Sequence, residues 1–229
     1  MSHGIEPVRV LRQTGETSFG LTLAPRDTRG QMVSLPNKLL GHFLDHLLKA
    51  CRLSLTFDTV DWPGSWMFDH VLCEDVGQAV GKALGEVHDQ LAASRGVPGR
   101  ASTQACMDDA AVGCVLSFEG RARCSWTLPD GTDVGGFVDS WFGDSESPGG
   151  VAYGTNLQQF FDGLCYGAPL TLDLRVDRVG NLHHVYECLF RATGDAIATA
   201  LNLDVRIPPV PGDTSGFAGI PQYIIESTK

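Results

Sequence analysis

The residues best suited to chemistry gather at Gly180-Asn181-Leu182-His183-His184-Val185-Tyr186-Glu187. On a helix, His183 and Glu187 stand one turn apart on the same face. An imidazole and a carboxylate stacked in this way form half of a divalent-cation site. His184 points about 100° round the helix, towards a second ion or a substrate. Histidine and acid pairs also occur in helices that only pack, so the spacing alone decides nothing. Its recurrence carries more weight. In Asp69-His70-Val71-Leu72-Cys73-Glu74-Asp75, His70 and Glu74 keep the same spacing 113 residues upstream.

The register of this echo extends on both sides. Ala79, Gly81 and Ala83 are matched by Ala192, Gly194 and Ala196, small residues that let helices approach closely. Leu47-Leu48 align with Phe160-Phe161, preceded by His46 and Gln159 respectively, each 24 residues before its motif histidine. The chain therefore reads as an internal duplication in which each half offers metal-type ligands. The expected boundaries are residues 1–98 and 99–204 for the two halves, with 205–229 as a Pro- and Gly-rich tail lying extended or partly mobile.

The elements that must position these residues follow from periodicity. Val8–Arg12 and Thr17–Leu23 alternate as the strands of a hairpin, with Arg12-Gln13-Thr14-Gly15-Glu16-Thr17 between them. A polar stretch from Pro25 to Gly30 turns the chain. Leu39, Leu40, Phe43, Leu44, Leu47 and Leu48 predict a helix over 38–51, which also carries His42, Asp45 and His46. Leu53–Asp58 reads as a strand, Asp61–Trp66 as a turn, and the helix of His70 runs to Gly85 or on to Ser94. Gly96–Arg100 reads as the loop between halves. Val112–Phe118 and Ala122–Trp126 are expected strands turning at Glu119-Gly120-Arg121, and 131–154 an irregular excursion. Leu157–Cys165 predicts a helix, Leu170–Val176 a strand, and His183–Leu201 the last helix. Strand, strand, helix, strand, helix recurs, which indicates an α+β protein of two similar sheet-and-helix halves packed together.

Composition sets outer limits. The 229 residues, 43% hydrophobic and 19% charged, suffice for a full core and argue against a disordered chain. A formal charge of −10 without a basic patch disfavours nucleic-acid binding. No run of 18 apolar residues and no signal-peptide pattern is present, so no membrane partner and a cytoplasmic location are expected. Seven cysteines without a CxxC pair, Cys73 among them, read as packing thiols of a reducing compartment.

From about Arg9 to Leu203 the chain resembles the imidazoleglycerol-phosphate dehydratases of histidine biosynthesis. The resemblance is carried by Arg12-x-Thr14-x-Glu16-Thr17, Phe43-Leu44-Asp45-His46, His70-x-x-x-Glu74-Asp75, Met107-Asp108-Asp109-Ala110, Gly120-Arg121, and Asn181-x-His183-His184-x-x-Glu187-x-x-Phe190-Arg191. It implies a duplicated fold of the ribosomal protein S5 domain 2-like kind and a shell of twenty-four subunits with sites between chains. It also implies one or two Mn2+ ions per site and loss of water from a phosphorylated glycerol side chain on imidazole. By position the resemblance makes His46, His70, Glu74, His183, His184 and Glu187 metal ligands. Glu187 and Glu16 become catalytic, and Glu16, Arg100, Arg121 and Arg191 hold the phosphorylated substrate.

The chain departs from the family pattern at several points. Val71 stands where the family has a second histidine, and Gln159 where it has another. The usual arginine after the Gly-Val loop is shifted to Arg100. Asp109 replaces a glutamate, Arg191 a lysine, and the tail near Thr214-Ser215-Gly216 lacks the family's lysine. Three outcomes follow: a metal-dependent dehydratase acting on imidazoleglycerol phosphate or a related polyol phosphate, a catalytically silent paralogue that keeps the shell, or a single-metal enzyme of altered substrate.

Overall fold

The computed structural model describes residues 5–26, 33, 35–61, 69–133, 137, 141–144 and 150–203. In chain order these contain β1 (Val8–Gln13), β2 (Ser18–Pro25), α1 (Lys38–Cys51), β3 (Leu53–Asp61) and α2 (Asp69–Arg95). There follow β4 (Arg100–Met107), β5 (Ala110–Phe118), β6 (Arg123–Thr127), β7 (Trp141–Asp144), β8 (Gly150–Tyr153), α3 (Gly154–Gly167), β9 (Leu170–Arg178) and α4 (Leu182–Ala200).

β1, β2 and β3 form one antiparallel sheet in that order. β4, β5 and β9 form its counterpart, with β6 added parallel to β9, and β7 and β8 pair as a short ribbon. Alternation drives each sheet to bury one face. Phe19, Leu21 and Leu23 of β2 point inward, as do Leu170, Leu172, Leu174 and Val176 of β9. Helices α1 and α2 lie against the first sheet, α3 and α4 against the second, and the helices meet in the middle, α1 along α4 and α2 along α3.

Two asparagines fix where the functional helices begin. The Asn37 side chain accepts from Leu40 N at 3.0 Å to open α1, and Asn181 accepts from His183 N at 2.9 Å to open α4. α1 ends at Arg52, which takes a left-handed conformation (φ 59) and donates its N–H to the Lys49 carbonyl at 3.3 Å. Glycines set the helix separations. A Cβ on Gly81 would lie 2.3 Å from the Leu164 carbonyl oxygen, and one on Gly194 2.3 Å from that of Leu47, so the close approach expected of these repeat positions is real.

The second half departs from expectation in three ways. β4 is an edge strand whose inward positions are Ala101, Thr103, Ala105 and Met107, all only half-buried, so its sequence carries no strong apolar alternation. β5 and β6 are not neighbours, because β9 is inserted between them and the chain passes Gly120 at φ +77 without forming a hairpin. The counterparts of β1 and β2 are thus β4 and β5, with Val8 and Arg100 92 residues apart, while α2 and α4 keep the 113-residue offset. The additional residues lie between β5 and α3, where β6 forms as expected over 123–127 and the β7–β8 ribbon sits within the stretch expected to be irregular. The expected turns at 27–30 and 62–66 and the tail after 203 lie outside the described residues. Cys73 is buried, in keeping with a packing role, and no helix among the described residues is long and apolar enough to cross a membrane.

Candidate metal centre between two helices

α1 presents His42 and His46 one turn apart, and α4 presents His183 and Glu187 one turn apart, on the faces where these helices meet. An aromatic floor holds them in register. Phe43 stacks on Phe190 at 5.4 Å and approaches His183 at 5.3 Å, and Phe160 stacks on Phe190 at 4.9 Å. Glu187 is buried, and three imidazoles surround its carboxylate. His46 Nδ1 stands 3.4 Å from Oε1, while His42 Nε2 and His183 Nε2 each stand 3.5 Å from Oε2. Donor atoms of His42, His46 and Glu187 all lie within 4.8 Å of one another. The His42 and His183 rings are stacked at 5.4 Å, and those of His42 and His46 meet edge-on at 4.5 Å.

The electrostatics follow from burial. Burial raises the Glu187 carboxyl, but His183, His42 and His46 more than reverse this and hold it down to about 2. The same burial lowers His46 to about 4 against the opposing pull of Glu187. At neutral pH the centre is an ionised carboxylate beside a neutral imidazole. His46 Nδ1 is buried with no hydrogen-bond partner among the described residues. A buried imidazole nitrogen without a hydrogen bond, beside a carboxylate and two further imidazoles, is the donor set a divalent cation needs.

Of the residues expected to act, His46, His183 and Glu187 therefore converge. His184 stands apart, with Nδ1 2.8 Å from Asp109 Oδ1 and Nε2 3.7 Å from Asp108 Oδ2. The hydrogen bond from His184, with one from Asn181 N, holds the Asp109 carboxyl below its ordinary range. The Asp109 carboxylate on Nδ1 orients the imidazole, whose Nε2 looks out towards exposed Asp108.

His70 and Glu74 lie exposed on α2, away from this cluster within the chain. Glu74 accepts from Gln78 Nε2 at 2.9 Å and, with Gln159, Asp162, Gly163 and Tyr166, lines a cavity of about 530 Å³ between α2 and α3. That cavity is the repeat counterpart of the α1–α4 cluster, and its described donors are all oxygen or amide groups. Glu16 is exposed on a turn fastened to α2, because Arg12 pairs with Asp75 and Thr17 donates to the same carboxylate. Among the described residues no hydrogen bond or ion pair joins Glu16 to the Glu187 cluster.

The arginines divide. Arg191 is half-buried on α4, one turn beyond Glu187. Arg100 follows Gly99, whose N–H donates to the Ala200 carbonyl at 2.9 Å, and Phe118 N donates to Gly99 O at 2.7 Å. Arg100 and Arg121 therefore stand at the end of the sheet where α4 stops, roughly 28 Å from where it starts at 1.5 Å per residue. Two residues, His42 and Asp109, were not assigned roles from the sequence. His42 carries the signal used for His183 and Glu187, an i,i+4 partner, here with His46.

A family model for imidazoleglycerol-phosphate dehydratase matches residues 37–197. The chain belongs to the imidazoleglycerol-phosphate dehydratase family. It is 31% identical over 202 residues to the dehydratase of Lactococcus lactis subsp. cremoris, covering 85% of this chain and 90% of that protein. It is 29% identical over 209 residues to that of Sulfurovum, covering 90% and 98%. The solved imidazoleglycerol-phosphate dehydratase of Staphylococcus aureus superposes with a TM-score of 0.62 at 20% identity, over 85% of this chain and 98% of that one, which bears out the expected α+β fold. Membership makes the chain a lyase of the dehydratase class, as the motifs implied.

Proposed function

We propose that this dehydratase is divalent-metal dependent and removes water from imidazoleglycerol phosphate or a related imidazole-bearing polyol phosphate, in histidine biosynthesis. The observation that carries the reading is the buried Glu187 carboxylate ringed by imidazoles, one of which has an orphaned nitrogen. His46, His183 and Glu187 would hold the cation, with manganese the expected ion. When bound, it supplies positive charge that stabilises an electron-rich imidazole ring as hydroxide leaves.

The remaining chemistry falls to the chain. Glu187, whose carboxyl the surrounding imidazoles hold down to about 2, is placed to hold charge at the centre. Proton transfer is assigned to Glu16, an exposed carboxylate on a turn fixed by Arg12, Thr17 and Asp75. His184, oriented by Asp109, presents Nε2 to the substrate ring or to a second ion, with His70 and Glu74 as its other donors. Arg191 lies close enough along α4 to pair with a phosphate at the same site. Arg100, Arg121 and Glu16 would reach the Glu187 cluster only from a neighbouring copy, which supports a homo-oligomer with sites between subunits.

The test is direct. Purified protein stripped with chelator and resupplied with manganese is assayed for dehydration of imidazoleglycerol phosphate. Turnover that returns with manganese is expected. Full turnover in the stripped protein excludes the metal reading, and no turnover under any loading favours the silent paralogue.

A further inference from the structure

We propose that His42 is a metal ligand and closes a four-donor cation site, with His46, His183 and Glu187, wholly inside one chain between α1 and α4. The inference rests on the divalent-metal reading above and changes which residues complete the centre.

The spacing around Glu187 is the first support. Donors of a tetrahedral ion with bonds of about 2.0–2.2 Å stand about 3.3–3.6 Å from one another. His42 Nε2 and His183 Nε2 each stand 3.5 Å from the same oxygen, Oε2 of Glu187, longer than a good N–H···O bond and within the spacing of donors around a shared ion, while His46 Nδ1 faces the other oxygen, Oε1, at 3.4 Å. The second support is the buried His46 Nδ1, which finds no hydrogen bond although a carboxylate oxygen is 3.4 Å away. The third is the position of His42. It is on the same face of α1 as His46, its ring stacks on His183, and its donor atom lies within 4.8 Å of those of His46 and Glu187.

The repeat sharpens the contrast. The 113-residue offset places Thr155 opposite His42 and Gln159 opposite His46, so the second half has no imidazole at either position. Its cavity offers Glu74, Asp162, Gln78 and Gln159 instead. Three imidazoles and a carboxylate suit borderline ions such as zinc, cobalt or manganese, whereas oxygens alone suit harder cations. The α1–α4 centre is thus the one that loads without help from a neighbouring copy.

Cobalt(II) titration of the full-length, chelator-stripped protein tests this. The unmutated protein should take up a first Co2+ with the intense visible bands of a four-coordinate ion, and His42→Ala should weaken that uptake at least roughly tenfold and abolish those bands. Pulsed electron paramagnetic resonance of the unmutated protein loaded with one Cu2+ counts coordinated imidazoles without relying on a variant that folds. Three imidazoles are expected. His42→Ala protein with unchanged affinity and bands, or a count of two or fewer, overturns the role of His42 and leaves the metal reading standing. Unmutated protein that takes up no Co2+ overturns both.

Discussion

Burial lowers the His46 imidazole from 6.5 to about 4, with Glu187 pulling it up and His42 and Lys49 adding to the fall, opposed weakly by Asp45. Between those values the unfolded chain binds a proton that the folded chain does not. The stability due to His46 is therefore complete above pH 6.5 and is lost as the pH falls towards 4. For metal-free protein we expect the unfolding free energy from urea titrations to drop across that window, by an amount on the order of 2–3 kcal/mol. A His46→Asn variant should show a flatter profile; equal slopes in the two proteins count against a buried neutral imidazole. Asp109 offers a second residue-scale test. Asp109→Asn should loosen His184 and weaken any cation or substrate held by Nε2 by roughly 10–100-fold, while leaving Co2+ uptake by the α1–α4 cluster unchanged. Gly180→Ala should do the same more mildly, since its Cβ would fall 2.1 Å from the Asp109 carboxyl carbon.

At the scale of elements, caps and periodicity made α1 and α4 legible within a residue or two. Asn37 and Asn181 precede clear apolar stripes, and a left-handed residue closes each far end, Arg52 after α1 (φ 59) and Asn202 after α4 (φ 50). β4 was not legible, since an edge strand of Arg-Ala-Ser-Thr-Gln-Ala-Cys-Met gains its pairing from β5 rather than from its own burial. The position of β9 between β5 and β6 is likewise a tertiary outcome, because the Glu119-Gly120-Arg121 segment looks like any hairpin turn. The small residues on α2 and α3 were readable in part. Gly77, Gly81, Gly163 and Gly167 each place the missing Cβ 2.1–2.4 Å from a carbonyl oxygen of the opposing helix. Gly81→Ala should therefore push α2 and α3 apart and destabilise the fold by about 1–3 kcal/mol, read as a lower thermal midpoint. A midpoint equal to that of the parent would show that the helices can separate at no cost.

Over the whole molecule, the repeat revealed the ligands but not their pairing. The sequence places His46 24 residues before His70, yet α1 lies along α4, so His46 meets Glu187 of the other half. That crossing arises from two sheets closing over a shared helical layer, which no local pattern encodes. The same crossing leaves His70, Glu74 and Glu16 on the α2 side and Arg100 and Arg121 at the far end of the second sheet. If sites form between copies, Glu16→Gln and Glu187→Gln chains, each inactive alone, should regain turnover when unfolded and refolded together. Mixtures as inactive as either parent would confine each site to one chain. The most direct measurement of all is anomalous diffraction from crystals soaked in manganese. We expect a peak between α1 and α4 bounded by His46, His183 and Glu187, absent in Glu187→Gln crystals; no peak there, or an identical one after that substitution, contradicts a metal centre at Glu187.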